Sequence, residues 1–207
     1  MSSKKVLCLG DSLTDCGRLF SEDPLGDGYV SLLHASLKEN GREYTFINRG
    51  VDGFTVSRLC DNARSHYLSL KPDRITILIG INDIGIMMNT NRTETQREAL
   101  MKDFFSHYEQ LLCTLRIATK DILLMEPFVF PYPLEFSLWE PYQKQMSLGI
   151  RALADAYRLP FLPLQEVLTA SAAESGYSAI TTDGVHLTRM GHAILAEQLN
   201  SFFTSDL

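Results

Sequence analysis

A serine just past a short apolar run, a histidine three residues after an aspartate, and a glycine and an asparagine at the ends of two further apolar runs stand out in this 207-residue chain. Together they suit nucleophilic acyl chemistry. The serine is Ser12, in Val6-Leu7-Cys8-Leu9-Gly10-Asp11-Ser12. Four apolar residues stopped by a glycine predict a buried strand. A serine just beyond its carboxyl end stands where open α/β sheets hold their ligands. Gly10 lets the backbone turn and leaves the hydroxyl exposed. The Gly-x-Ser-x-Gly pattern of a nucleophile elbow is missed, because Thr14 takes the place of the second glycine. Ser12 could equally cap the helix that follows.

A serine nucleophile needs a base. His34, His66 and His107 fall inside amphipathic helical patterns, where histidines are usually surface or satisfied groups, and His192 packs in the last helix. His186 differs. It lies in Thr182-Asp183-Gly184-Val185-His186-Leu187, a loop before that helix. A turn there can set the Asp183 carboxylate beside Nδ1, fixing the tautomer and stabilising the imidazolium while Nε2 takes the serine proton. The same Asp-x-x-His spacing also suits a helix cap or a metal site. Gly53 and Asn82 follow the second and third strands, so in a parallel sheet they share an edge with Ser12.

The elements that must position these residues read in order. Tyr29 to Lys38 is helical, with Val30, Leu33 and Leu37 on one face, and Tyr44 to Ile47 is a strand. Thr55 suits the N-cap of a helix carrying Val56, Leu59 and Ala63. Ile75 to Ile79 is β-branched and nearly uninterrupted, as in a strand buried on both faces. A polar loop with Thr93 and Glu94 leads to a long helix over Thr95 to Ala118, then a strand over Asp121 to Met125. Glu126 to Tyr142 mixes four prolines with six aromatics and reads as neither helix nor central strand. It could be a lip for sugar rings or acyl chains, or packing within the fold or against another subunit. Helix over Gln143 to Tyr157, strand over Pro160 to Leu162, helix over Gln165 to Glu174, a loop from Ser175 to Gly184 and a helix over Thr188 to Phe203 complete the chain. Strand and helix alternate about five times, which predicts one domain over 1–207 with a five-stranded parallel sheet in a three-layer α/β/α sandwich, of flavodoxin-like order.

The net charge of −6 and the lack of a lysine/arginine cluster speak against a nucleic-acid partner. No stretch is long enough to span a bilayer, and the apolar run after Met-Ser-Ser-Lys-Lys is too short for a signal peptide. None of the four cysteines (Cys8, Cys16, Cys60, Cys113) has metal-ligand or Cys-x-x-Cys spacing. A cytoplasmic setting is therefore expected.

Four segments carry a resemblance. Gly10-Asp11-Ser12, Asn48 to Thr55 with Gly53, Gly80-Ile81-Asn82-Asp83 and Asp183-Gly184-Val185-His186 resemble, in order, the four blocks of the SGNH (GDSL) hydrolases. The resemblance implies Ser12 as nucleophile, His186 as base and Asp183 as its partner. It implies an oxyanion hole made by the Ser12 and Gly53 N–H groups and the Asn82 amide, with no metal or cofactor. Glycine at 53 suits close backbone approach, and asparagine supplies a neutral donor. Asp15-Cys16-Gly17-Arg18, Gly28-Tyr29-Val30, Ile79-Gly80-Ile81-Asn82-Asp83 and Gly191-His192 look similar to the intracellular acetylxylan (acetyl-xylooligosaccharide) esterase branch. Leu187 stands where many relatives carry proline, and Thr182 where that branch would carry an aromatic.

The expected function is a serine esterase acting on small esters, with O-acetyl groups on carbohydrate as the expected substrate. The alternatives are a thioesterase or lysophospholipase with a longer acyl pocket, and an inactive carbohydrate-binding relative. Asp11, Arg18 and Trp139 are candidate substrate contacts. Asp11 and Asp83 also suit holding loops by accepting from backbone amides, and Arg18 could clasp Asp15. The partner is a small ester, and a homo-oligomer is left open.

Overall fold

A computed structural model describes residues 3–88 and 91–204. Five strands form one parallel sheet in the order β2-β1-β3-β4-β5: β1 (Lys4–Gly10), β2 (Tyr44–Asn48), β3 (Arg74–Leu78), β4 (Ile122–Met125) and β5 (Phe161–Leu162). This is the expected flavodoxin-like order, in which the chain reverses its direction of travel across the sheet beside β1 and β3. The register is regular: Leu7 sits beside Ile75, and Ile77 beside Leu124.

Alternation along the strands builds two cores. Leu7, Leu9, Ile75, Ile77, Ile122 and Leu124 face one layer, formed by α3 (Val56–Asn62), α5 (Glu94–Leu115) and α6 (Glu140–Tyr157). Val6, Cys8, Leu78, Leu123 and Met125 face the other, formed by α2 (Tyr29–Glu39), α7 (Gln165–Ser175) and α9 (Arg189–Thr204). Both faces of the central strands are apolar because both are covered, which is why they read as continuous hydrophobic runs.

Four departures from the sequence reading matter for the site. Residues after Gly80 form a helix, α4 (Ile81–Met88), where only a strand end and a polar loop were expected; that loop overlaps residues 89–90, outside the described residues. Helix α6 starts at Glu140, with Pro141 in its first turn, a position that needs no intrahelical N–H. The proline-rich stretch before it folds into a 3₁₀ turn at Leu134–Leu138. The loop from Ser175 to Gly184 contains a short helix, α8 (Tyr177–Ile180).

Candidate active site

Ser12 opens the four-residue helix α1 (Ser12–Asp15), immediately after β1. Its neighbour Asp11 caps that helix, with Oδ1 accepting from Leu13 N at 3.1 Å. Buried Asn48, at the end of β2, ties α1 to the next loop: its Nδ2 donates to Thr14 O (2.6 Å) and Leu25 O (2.8 Å), and its Oδ1 accepts from Gly50 N (2.8 Å). Asn48 thus uses its full amide on backbone groups that would otherwise be buried without partners.

The histidine loop is built by its own side chains. Thr181 Oγ1 donates to His186 O (2.7 Å) and accepts from Gly184 N (2.8 Å). Asp183 Oδ1 accepts from Val185 N (2.9 Å) and His186 N (2.7 Å). Its Oδ2 lies 2.7 Å from His186 Nδ1, and His186 Nε2 lies 2.9 Å from Ser12 Oγ. Partial burial pushes the Asp183 carboxyl up. Hydrogen bonds from the His186 ring, His186 N–H and Val185 N–H outweigh that and hold it below the usual aspartate value. An ionised Asp183 can only accept, so Nδ1 carries the hydrogen and Nε2 is left as acceptor for the serine hydroxyl. The loop is braced from outside: Phe130 N donates to Gly184 O at 2.9 Å. Gly184 has φ +97°, and a Cβ there would lie 2.0 Å from Tyr132 O, so only glycine fits.

Gly53 and Asn82 share a cleft of about 590 Å³ with Asp183 and His186, walled by Ile86, Phe136, Trp139 and Val185. Gly53 has φ +72° with open space where a Cβ would be. Its glycine is thus required by left-handed backbone as well as by any approach of substrate. Asn82, in the first turn of α4, donates through Nδ2 to Phe54 O at 3.0 Å. The amide nitrogen carries two hydrogens, so the bond to Phe54 orients it and leaves one to offer.

The candidate substrate contacts separate. Trp139 does wall the cleft, 8% exposed and packed edge-on against Phe136 at 4.6 Å. Asp11 does not line it: it is 1% exposed, beneath the serine. Arg18 forms the clasp, paired with Asp15 at 3.0 Å and donating to Gly50 O at 3.0 Å. The aromatic segment divides, since Phe128 and Phe130 lie in the core while Phe136 and Trp139 form the cleft wall. Asp83 accepts from Val56 N at 3.2 Å, at the start of α3, and burial pushes its carboxyl up to about 7. Cys16 contacts buried His192 (Sγ to Nε2, 3.4 Å), whose imidazole is lowered to about 4, mainly by burial and secondarily by His186. Sequence reasoning missed the α4 wall of Ile81, Gly85 and Ile86; their spacing from Asn82 was the available signal. Among the described residues, no group of three or more His, Cys, Asp or Glu side chains could hold a metal ion.

A family model described as GDSL-like lipase/acylhydrolase matches residues 8–194. An acetylxylan esterase of Geobacillus stearothermophilus is 28% identical over 207 residues, covering 94% of this chain and 91% of that one. The crystal structure of Axe2, an acetylxylan esterase from Geobacillus stearothermophilus, superposes with a TM-score of 0.83 at 26% identity, covering 96% and 93% of the two chains. LAE5, an α/β hydrolase enzyme from the metagenome of Lake Arreo, shares the fold with a TM-score of 0.85 at 23% identity, covering 97% and 95%.

Proposed function

The chain belongs to the GDSL-like lipase/acylhydrolase family and is an ester-hydrolysing serine hydrolase; from that premise we propose that Ser12, His186 and Asp183 carry its reaction and that its substrates are O-acetylated carbohydrates. The observation that carries the assignment is the continuous relay from Asp183 Oδ2 through the His186 ring to Ser12 Oγ, with steps of 2.7 and 2.9 Å.

Ser12 Oγ attacks the ester carbonyl as His186 Nε2 accepts its proton, and Asp183 stabilises the imidazolium that results. The carbonyl oxygen becomes an oxyanion, met by the Gly53 N–H, the Ser12 N–H and the second Asn82 amide hydrogen. His186 returns the proton to the departing alcohol, which leaves an acyl-Ser12 ester. Water, deprotonated by His186, then attacks that ester and releases the acid, restoring the serine.

Because His186 must protonate the leaving oxygen, the alcohol part of the substrate sits on its side of the cleft, against Val185, Phe136 and Trp139. An aromatic wall there suits the apolar face of a sugar ring. Acetyl ester chemistry on xylan is what the names of the aligned relatives state. We assign the activity to the cytoplasm; all four cysteines are free thiols, which suits a reducing compartment.

The test is a side-by-side panel of acetylated xylooligosaccharides, nitrophenyl esters of increasing acyl length, and acyl thioesters. The expected result is the highest kcat/KM on acetylated sugar. Faster turnover of long-chain esters or thioesters would overturn the substrate assignment.

A further inference from the structure

We propose that Asp11 is a positioning residue whose charge acts on the reaction through His186. This rests on the triad reading above.

The side chain does more than a cap requires. One oxygen, Oδ1, accepts from Leu13 N at 3.1 Å and so caps α1. The other, Oδ2, is buried and has no hydrogen-bond partner among the described residues. Asparagine or serine would cap the same turn without burying a second acidic oxygen. A carboxylate held 1% exposed with one oxygen unpaired by the protein is a cost to the folded state. Such a cost beside a nucleophile points to use in the reaction.

Four titratable groups lie within electrostatic reach of it. Tyr29 comes from α2, Asp52 from the loop after β2, Asp83 from the first turn of α4, and His186 from the loop before α9. Only His186 becomes positive during turnover. Burial, with a small contribution from Asp52, pushes the Asp11 carboxyl up to about 7, against the opposing pull of Leu13 N–H, the His186 charge and its own N–H. Asp83 is driven to about the same value by its own burial, with Asp11 adding repulsion. Two buried acids that repel each other titrate as a pair. Attraction is reciprocal: if the His186 charge favours the Asp11 carboxylate, that carboxylate favours the imidazolium formed when Nε2 takes the Ser12 proton. Asp11 moves no proton to the substrate; its own goes to solvent.

The sign for stability follows from the raised pKa. The folded protein holds the Asp11 proton up to about 7, whereas the unfolded chain releases it near the ordinary value of 3.8. Stability is therefore lost as pH rises through that window and levels off above it. Asp11→Asn keeps an accepting oxygen for Leu13 and cannot ionise.

The experiment compares wild type, Asp11→Asn and Asp83→Asn by thermal unfolding and by kcat/KM from pH 5 to pH 9 on a chromogenic acetate. Expected for Asp11→Asn is a Tm that gains on wild type as pH rises from 4 to 8. The ratio of wild-type to variant kcat/KM should grow on the order of tenfold between pH 5.5 and 8.5. A loss of activity uniform across pH would make Asp11 a cap alone and overturn the proposal, as would a pH-independent Tm difference. Should Asp11→Asn fail to fold, Asp83→Asn decides. It removes the repulsion on Asp11, so the wild-type ionisation near neutrality moves to lower pH, and an unmoved profile refutes the coupling. Failure of the triad reading would look different: Ser12→Ala would stay active while the Tm pattern of Asp11→Asn persisted.

Discussion

Two crevices open along the carboxyl edge of the sheet, and the larger one holds none of the proposed triad. The cleft of about 590 Å³ contains His186, Asp183, Asn82 and Gly53. The other, about 760 Å³, lies between α6 and α7 beyond the ends of β4 and β5, with buried Glu126 among its lining residues. Both contain a carboxylate, so charge does not separate them. What separates them is how completely the groups at the strand ends are used. Glu126 Oε1 accepts from Ser147 Oγ, and Oε2 accepts from Leu164 N (2.7 Å) and Gln165 N (2.9 Å) at the start of α7. Nearby Gln143 donates to Pro127 O (2.7 Å), and Gln165 both donates to Val129 O and accepts from Val129 N. These buried groups are scaffold, holding the chain after β4 against two helices. In the smaller cleft the donors are oriented but not exhausted: Asn82 retains an N–H, and the Ser12 hydroxyl is aimed at a half-exposed imidazole.

Mutations can break or sharpen this contrast. The largest effect is expected in the smaller cleft, where Ser12→Ala should lower kcat on a chromogenic acetate by roughly 10⁴–10⁶-fold with an unchanged circular-dichroism spectrum; near-wild-type turnover would dissolve the contrast. Next comes Asn82→Ala, expected to lose roughly 10²–10³ in kcat with a smaller change in KM, because the lost donor acts on the transition state. Steady-state kinetics that moved KM alone would instead make Asn82 a binding group. Smallest in activity is Glu126→Ala in the larger crevice. It should leave kcat within about twofold while lowering unfolding free energy by about 1–3 kcal/mol, since the buried N–H of Leu164 and the half-buried N–H of Gln165 lose their acceptor. A large loss of kcat at unchanged stability would mean that both crevices take part in the reaction.

The same contrast governs what could be read from the chain. The strands, their order and the five proposed site positions (Ser12, Gly53, Asn82, Asp183 and His186) could be named from the chain because each depends on local chemistry: β-branched runs, glycines at turns, an aspartate and histidine spanning one loop. Ser12 and His186 are 174 residues apart, yet each announces itself within its own segment. Glu126 gives no such signal, since its partners come from Ser147 and Leu164, far along the chain. Helix α4 was lost because eight residues containing Gly85, directly after Gly80, look like a strand end and loop; tertiary packing of Ile84 and Met87 overrides that weak propensity. Asp11 was legible as a cap, but not as a buried acid with an unused oxygen, because burial of a single side chain follows from packing by other segments. The prolines of 126–142 were correctly read as unfit for regular structure up to Pro133. Pro141 misled because a proline within a first turn favours a helix as much as one inside it opposes it.

The bond between Phe130 N and Gly184 O, together with the close packing of Gly184 against Tyr132 O and the Phe136 ring, joins the aromatic wall to the loop that bears the proposed general base. On the proposed roles, recognition of the leaving alcohol and its protonation therefore belong to one braced piece. Redesigning the wall for a different alcohol would tilt the imidazole as well, so selectivity and turnover are coupled traits here. A lineage or an engineer changing substrates would find more freedom on the α4 side, where Ile86 lines the cleft without touching that brace.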